Sequence, residues 1–316
     1  MKTFAFVFPG QGSQSVGMLD AWGDNPEVVA TLKEASDALG QDLAQLIHAG
    51  PPEELALTTN TQPVMLAAAV AAYRAWLAGG GASPSCVAGH SLGEYSALVA
   101  SGVLTLAQAV PLVRLRAQAM QEAVPVGAGA MAAVLGLDAD QVDVVCQQAQ
   151  ASFGAASNEV VQAANFNDPG QTVISGSKAG VEKACEMLKA AGAKRTLPLP
   201  VSAPFHCALM KPAAERLRQA LEGLTLQTPQ IPLINNIDVA SPSGAGEIRD
   251  ALYRQAFGPV RWVEVIQSMQ RRGITHVVEC GPGKVLTGMN RRIAPDVASL
   301  GVFDPASLQH TLEVLA

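Results

Sequence analysis

Ser85-Cys86-Val87-Ala88-Gly89-His90-Ser91-Leu92-Gly93-Glu94-Tyr95-Ser96-Ala97 passes from a short apolar stretch, through Gly-x-Ser-x-Gly, into a helix-like run. A serine on a tight strand-to-helix turn is held with its hydroxyl exposed, and flanking glycines let the chain bend without a Cβ clash. The stretch therefore predicts a strand over Ser85–Ala88, a helix from Leu92 to about Ala100, and Ser91 as a candidate nucleophile between them. Leu92 then offers its backbone N–H at a helix N-terminus, where partial positive charge favours an oxyanion.

Outward from the elbow the pattern is α/β. Thr3–Phe8 reads as a buried first strand, and Pro9-Gly10-Gln11-Gly12-Ser13-Gln14 as a loop after it, which is site-forming ground. Helical patterns follow at Pro26–Leu39, Pro63–Ala78 and Leu106–Ala123. Strands alternating with helices imply a parallel sheet. The rhythm changes between Met131 and Leu199: strand (131–137), helix (140–150), strand (160–165), strand (171–175), helix (179–190), strand (194–199). That order, β-α-β-β-α-β, is the ferredoxin-like pattern of a compact inserted unit. Beyond it come a Pro-containing loop at Val201–His206, a helix from near Lys211, a strand near Ile231–Ile234, helices around Glu247 and Val260, and a strand at Thr275–Glu279 running into Gly281-Pro282-Gly283.

Composition narrows the functional classes. The 316 residues, 49% of them hydrophobic, suffice for a large core. A net charge of −6 argues against nonspecific nucleic-acid binding, which needs a clustered excess of Lys and Arg. The longest apolar stretch, Val64–Tyr73, stops at Arg74, about half the length that crosses a bilayer, so no membrane span is expected. Cys86, Cys146, Cys185, Cys207 and Cys280 show no C-x-x-C spacing and read as reduced thiols. With no signal-peptide core after Lys2, this predicts a cytoplasmic protein.

A serine hydroxyl needs an adjacent base, and the chain offers His48, His90, His206, His276 and His310. Position alone does not choose among them. His276 reads as a packed core residue, His48 and His310 lie in helical or terminal segments, and the His90 side chain is expected on the side of the strand away from Ser91. His206 follows Ser202-Ala203-Pro204-Phe205 in a loop, where positioned catalytic groups are commonly found. Arg114 and Arg116 read equally as solvated helix residues or as a buried fork for a substrate carboxylate, which a guanidinium binds through two parallel charge-assisted hydrogen bonds.

Phe8-Pro9-Gly10-Gln11-Gly12-Ser13-Gln14, the elbow Gly89–Ala97 and Met120-Gln121-Glu122-Ala123-Val124-Pro125 together resemble malonyl-CoA:acyl carrier protein transacylases. So do Ala164-Asn165-Phe166-Asn167, Pro204-Phe205-His206-Cys207-Ala208-Leu209-Met210, Tyr253-Arg254-Gln255 and Gly281-Pro282-Gly283-Lys284, in the same order along essentially the whole chain. The resemblance implies a large parallel-sheet, α/β-hydrolase-like subdomain (1–127 and 201–316) with an inserted small ferredoxin-like subdomain (128–200). By position it implies Ser91 as nucleophile, His206 as general base, and Arg116 as the clamp on the malonyl carboxylate. Gln11 and Leu92 would form the oxyanion hole through backbone N–H groups. Gln255 would orient His206 through its main-chain carbonyl, leaving a Ser-His dyad without an acidic third member.

The implied reaction is a ping-pong exchange in fatty acid biosynthesis. Malonyl-CoA loads Ser91, and the phosphopantetheine thiol of acyl carrier protein then takes the malonyl group, with no metal or cofactor. Phe205 stands where many stand-alone relatives carry a smaller Ser and malonyl-selective polyketide acyltransferases carry Phe, so it is a candidate steric filter against methylmalonyl. Carrier docking, on an acidic chain, would use a local patch such as Lys194/Arg195, Arg271/Arg272 or Arg291/Arg292. A monomer is expected. Competing readings are a trans-acting polyketide acyltransferase, a serine esterase or thioesterase, and a carrier-binding scaffold without activity.

Overall fold

Every side chain of the first strand, β1 (Phe4–Phe8), is buried, which is the mark of a strand covered on both faces of a parallel sheet. The computed structural model describes residues 2–154 and 156–316. After β1 the chain forms α1 (Pro26–Leu39), α2 (Leu43–Ala49), α3 (Pro52–Ala56) and α4 (Thr58–Ala78), then β2 (Cys86–Gly89), α5 (Gly93–Ala100) and α6 (Leu106–Glu122). The middle holds β3 (Gly129–Leu135), α7 (Ala139–Ala151), β4 (Val161–Asp168), β5 (Gln171–Ser177), α8 (Lys178–Ala190) and β6 (Arg195–Pro198). The remainder is α9 (Lys211–Glu222), β7 (Leu233–Ile234), α10 (Ala245–Phe257), α11 (Trp262–Arg271), β8 (His276–Cys280), α12 (Val285–Ile293), β9 (Ala298–Val302) and α13 (Pro305–Leu315).

Two sheets result. The larger is parallel, in the order β7-β2-β1-β8-β9, with β1 at its centre. Alternation along β1 sorts its two faces. Phe4, Phe6 and Phe8 face α4, where Phe6 meets Tyr73 and Trp76 edge-on at 5.8 and 5.3 Å. Ala5 and Val7 join Trp262, Val265 and Leu286 on the other face. The smaller sheet is antiparallel, in the order β4-β5-β3-β6, which is the ferredoxin-like arrangement of a βαββαβ unit. On β3, Ala132 and Val134 pack under α7 and α8, while Met131 and Ala133 turn the opposite way, toward Leu199, Val201 and Phe205. The fold is thus α/β with an inserted subdomain, as expected.

Main-chain bonds tie the small sheet to the large body. Phe166 N–H donates to the Val260 carbonyl at 2.9 Å, and Val260 N–H to that of Ala164 at 2.8 Å. Val260 is therefore a β-bridge residue and not part of a helix, which starts at Trp262. Other departures have local causes. The helix expected from Pro63 begins at Thr58, because a proline early in a helix forfeits one backbone bond while the surrounding residues are buried. β3 begins two residues before Met131, and β7 keeps only Leu233–Ile234 of the expected strand. α2, α3, α12, β9 and α13 were not anticipated. Among the described residues no helix is long and apolar enough to cross a membrane.

Candidate active site

The elbow is shaped by close backbone approach. A Cβ on Gly89 would lie 1.9 Å from the Gly93 carbonyl, and one on Gly93 would lie 2.1 Å from the Phe8 carbonyl oxygen. Both positions must therefore be glycine for β2, the turn and α5 to nest against β1. Between them Ser91 takes φ +50°, a left-handed conformation that costs a non-glycine residue on the order of 1–3 kcal/mol and must be held by its surroundings. The loop after β1 rests on the same turn, since a Cβ on Gly10 would lie 2.5 Å from the His90 carbonyl oxygen. That contact brings Gln11 beside Ser91.

Ser91 Oγ lies 2.6 Å from His206 Nε2. His206 sits in the loop between β6 and α9, buried, and itself at φ +61°. Its Nδ1 is 2.9 Å from the Gln255 carbonyl and 3.2 Å from that of Gly258. Carbonyls only accept, so Nδ1 carries the proton and Nε2 presents a lone pair to the serine hydroxyl. Burial, aided by the Arg116 charge, pushes the imidazole down to about 3, so it is neutral at physiological pH and free to act as a base.

Arg116 on α6 is 2% exposed. Its Nη1 donates to Gln62 Oε1 at 2.8 Å, and its Nη2 to Gln255 Oε1 and to Ser91 Oγ, each at 3.2 Å. Nε has no partner, and the guanidinium lies 5.4 Å from the centre of the Tyr95 ring. Its protein partners are neutral, and among the described residues no carboxylate is within ion-pair distance. A buried cation in that state is complementary to an incoming carboxylate. Arg114, two residues earlier, is bound to Gln41 and Asn60 and takes no part.

Gln11, Ser91, Leu92, Arg116, Phe205 and His206 all line one cavity of about 200 Å³ between the two sheets. Gln255 is fully buried behind them. Among the described residues neither the Gln11 nor the Leu92 amide N–H donates a hydrogen bond within the protein. The Gln11 side chain is held by Thr58 Oγ1, which donates to its Oε1 at 2.8 Å. Phe205 is half-buried, against the cavity-facing side of the small sheet. α12 closes another wall through Leu286 and Met289. It is fixed by Glu279, whose carboxylate accepts the Leu286 and Thr287 N–H groups at 3.1 and 2.7 Å.

His90 corrects one expectation. Its side chain also lines the cavity, with Nε2 2.9 Å from Asn167 Oδ1 and the ring edge-on to Trp262. The turn, no longer obeying strand alternation, swings it toward the small subdomain. His276 is only half-buried, at the first residue of β8, and pairs with Thr275 Oγ1. His48 is exposed and paired with Asp20, and His310 is exposed on α13. Of the three basic pairs, Arg292 is tied to Asp168 at 2.7 Å and Arg272 to Ser241 at 3.0 Å.

Sequence reasoning missed Glu94 and Asn236. Glu94 belongs to the quoted elbow stretch but is 1% exposed, and Asn236 follows β7 and is fully buried. Asn236 Oδ1 accepts the Ser91 N–H at 2.7 Å, and its Nδ2 donates to the Gly89 carbonyl at 2.7 Å. A run of two asparagines after a short apolar strand is a turn signal, and nothing in it points to the elbow.

Known proteins resemble this chain over nearly its whole length. The acyl transferase domain family matches residues 5–297. The malonyl CoA-acyl carrier protein transacylase of Escherichia coli (strain K12) is 51% identical over 315 residues, covering 99% of this chain and 100% of the relative. The crystal structure of an acyl-carrier-protein S-malonyltransferase from Burkholderia pseudomallei 1710b superposes with a TM-score of 0.95 at 62% identity, covering 99% of this chain and 100% of that one. A malonyl-transacylase solved in complex with its type II PKS acyl-carrier protein gives a TM-score of 0.95 at 50% identity, again over 99% and 100% of the two chains.

Proposed function

The chain belongs to the malonyl CoA-acyl carrier protein transacylase family, and we propose that it moves a malonyl group from malonyl-CoA to the phosphopantetheine thiol of an acyl carrier protein, through a malonyl ester on Ser91. The observation that carries this reading is the buried Arg116 guanidinium, 3.2 Å from Ser91 Oγ and without a carboxylate partner. An esterase for neutral acyl groups has no use for such a charge, whereas a malonyl ester places a carboxylate just beyond the serine oxygen.

His206 Nε2 takes the Ser91 proton as Oγ attacks the thioester carbonyl. The developing oxyanion is held by the Leu92 and Gln11 N–H groups, worth roughly 3–4 kcal/mol per donor in comparable sites. Collapse breaks the C–S bond, and His206 returns its proton to the departing CoA sulfur. In the second half the phosphopantetheine thiol gives its proton to His206 and attacks the ester, and the proton passes back to Ser91. Arg116 holds the malonyl carboxylate through both halves, and the Gln255 and Gly258 carbonyls keep the imidazole in its Nδ1–H tautomer.

We assign residues 1–127 and 201–316 to the body carrying the elbow and 128–200 to the inserted unit. The reading takes the protein as a monomer, and five free cysteines, four of them buried, fit the reducing cytoplasm. Fatty acid synthesis is the pathway this reading serves. The relative complexed with a type II PKS carrier favours a polyketide carrier as the second reading.

Intact mass spectrometry after brief mixing with malonyl-CoA, acetyl-CoA or methylmalonyl-CoA, followed by fatty acid or polyketide carrier protein, tests both. A malonyl adduct on Ser91 that moves to one carrier supports the reading and selects the pathway. An adduct lost only to water would replace it with a hydrolase.

A further inference from the structure

We propose that Glu94 is a positioning residue of this site, its Oε2 anchoring the main chain of Asn236 and the side chain of Gln255, the two residues whose side chains hold the main chain of Ser91. This deepens the acyl-transfer reading and rests on it. Ser91 keeps its left-handed backbone because both its peptide groups are gripped by side chains. Asn236 Oδ1 accepts its N–H at 2.7 Å, and Gln255 Nε2 donates to its carbonyl at 3.0 Å. Both grips converge on one atom. Glu94 Oε2 accepts the Asn236 N–H at 2.9 Å and the Gln255 Nε2–H at 3.0 Å.

From Gln255 the same network reaches the other functional groups. Its Oε1 accepts from Arg116 Nη2 at 3.2 Å, and its main-chain carbonyl accepts from His206 Nδ1 at 2.9 Å. Nucleophile, base and guanidinium are therefore spaced through one carboxylate that touches none of the reacting atoms. A carboxylate this buried, without a contacting cation, is costly to keep unless its acceptor oxygen is needed. Burial pushes its carboxyl up to about 7, and a proton on Oε1 would leave both acceptances at Oε2 intact. What the site uses is the oxygen more than the charge.

Glu94→Gln retains such an oxygen, and Glu94→Leu keeps comparable bulk without it. Single-turnover loading of the full chain by malonyl-CoA and by acetyl-CoA, with melting curves as a folding control, separates the roles. Displacement of a nucleophile by about 1 Å costs on the order of 100-fold. Glu94→Leu should therefore lose about 100-fold in kcat for both acyl groups, with KM for malonyl-CoA changed less than about fivefold, and Glu94→Gln should recover to within about tenfold of the parent. Unchanged kcat in Glu94→Leu, or a folded Glu94→Gln as slow as Glu94→Leu, overturns the proposal. If Glu94→Leu does not fold, Glu94→Asp decides, since its shorter side chain withdraws the oxygen from both donors: a kcat loss of about tenfold or more with little change in KM supports the anchoring, and an unchanged kcat refutes it. Failure of the parent chain to load malonyl would instead overturn the transfer reading itself.

Discussion

Replacing Arg116 by Ala should convert a malonyl-selective site into one that prefers acetyl. In the parent the guanidinium is 2% exposed and offers N–H groups on Nη1, Nη2 and an unpartnered Nε. Two charge-assisted bonds to the malonyl carboxylate, each worth about 1.5–3 kcal/mol, disappear in the variant. Water entering the vacated space returns part of that loss. A net cost of about 2–5 kcal/mol corresponds to a fall of roughly 30- to 5,000-fold in kcat/KM for malonyl-CoA. Acetyl-CoA has no carboxylate to lose. Its loading should stay within about tenfold of the parent, because removing a buried positive charge also raises the basicity of His206. The assay is single-turnover acyl-enzyme formation from each CoA ester, read by intact mass. A parallel fall for both esters would refute the clamp, and would place Arg116 with the residues that only hold the elbow.

Four further outcomes follow from the same geometry. His206 titrates near 3 in the folded protein against an ordinary 6.5, so the unfolded chain binds the extra proton first as pH falls below 6.5. By pH 5 this should cost the parent about 2 kcal/mol of stability relative to His206→Gln, read as converging or crossing melting curves; parallel curves between pH 7 and 5 would disprove the shift. Loading by the parent should likewise show no acidic limb near 6.5 belonging to this imidazole. Gly89→Ala, whose Cβ would lie 1.9 Å from the Gly93 carbonyl, should abolish the malonyl adduct or lower the melting temperature sharply, and a fully active variant would refute the close-packed elbow. Phe205→Ala should raise methylmalonyl loading relative to malonyl, since Phe205 lines the cavity beside His206. An unchanged ratio would show that it only packs the loop.

What the sequence determined by itself is what depends on neighbours along the chain. The apolar run of β1, the Gly-x-Ser-x-Gly turn into α5 and the βαββαβ rhythm each announce their structure locally, because strand burial, glycine geometry and hydrophobic period act over a few residues. His206, Arg116, Gln255, Gln11 and Phe205 were legible as candidates through the order of short motifs, and the structure places them around one cavity or directly behind it. Short helices such as α2 and α3, seven and five residues long, escaped because so few turns display no clear hydrophobic period, and the late β9 escaped because only Val302 of it is buried. Tertiary structure alone decided that His90 turns into the cavity, that Arg116 is buried without a carboxylate, and that Glu94 and Asn236 hold the elbow from within. Those outcomes depend on desolvation and on hydrogen bonds between residues as much as 161 positions apart, which no local pattern encodes.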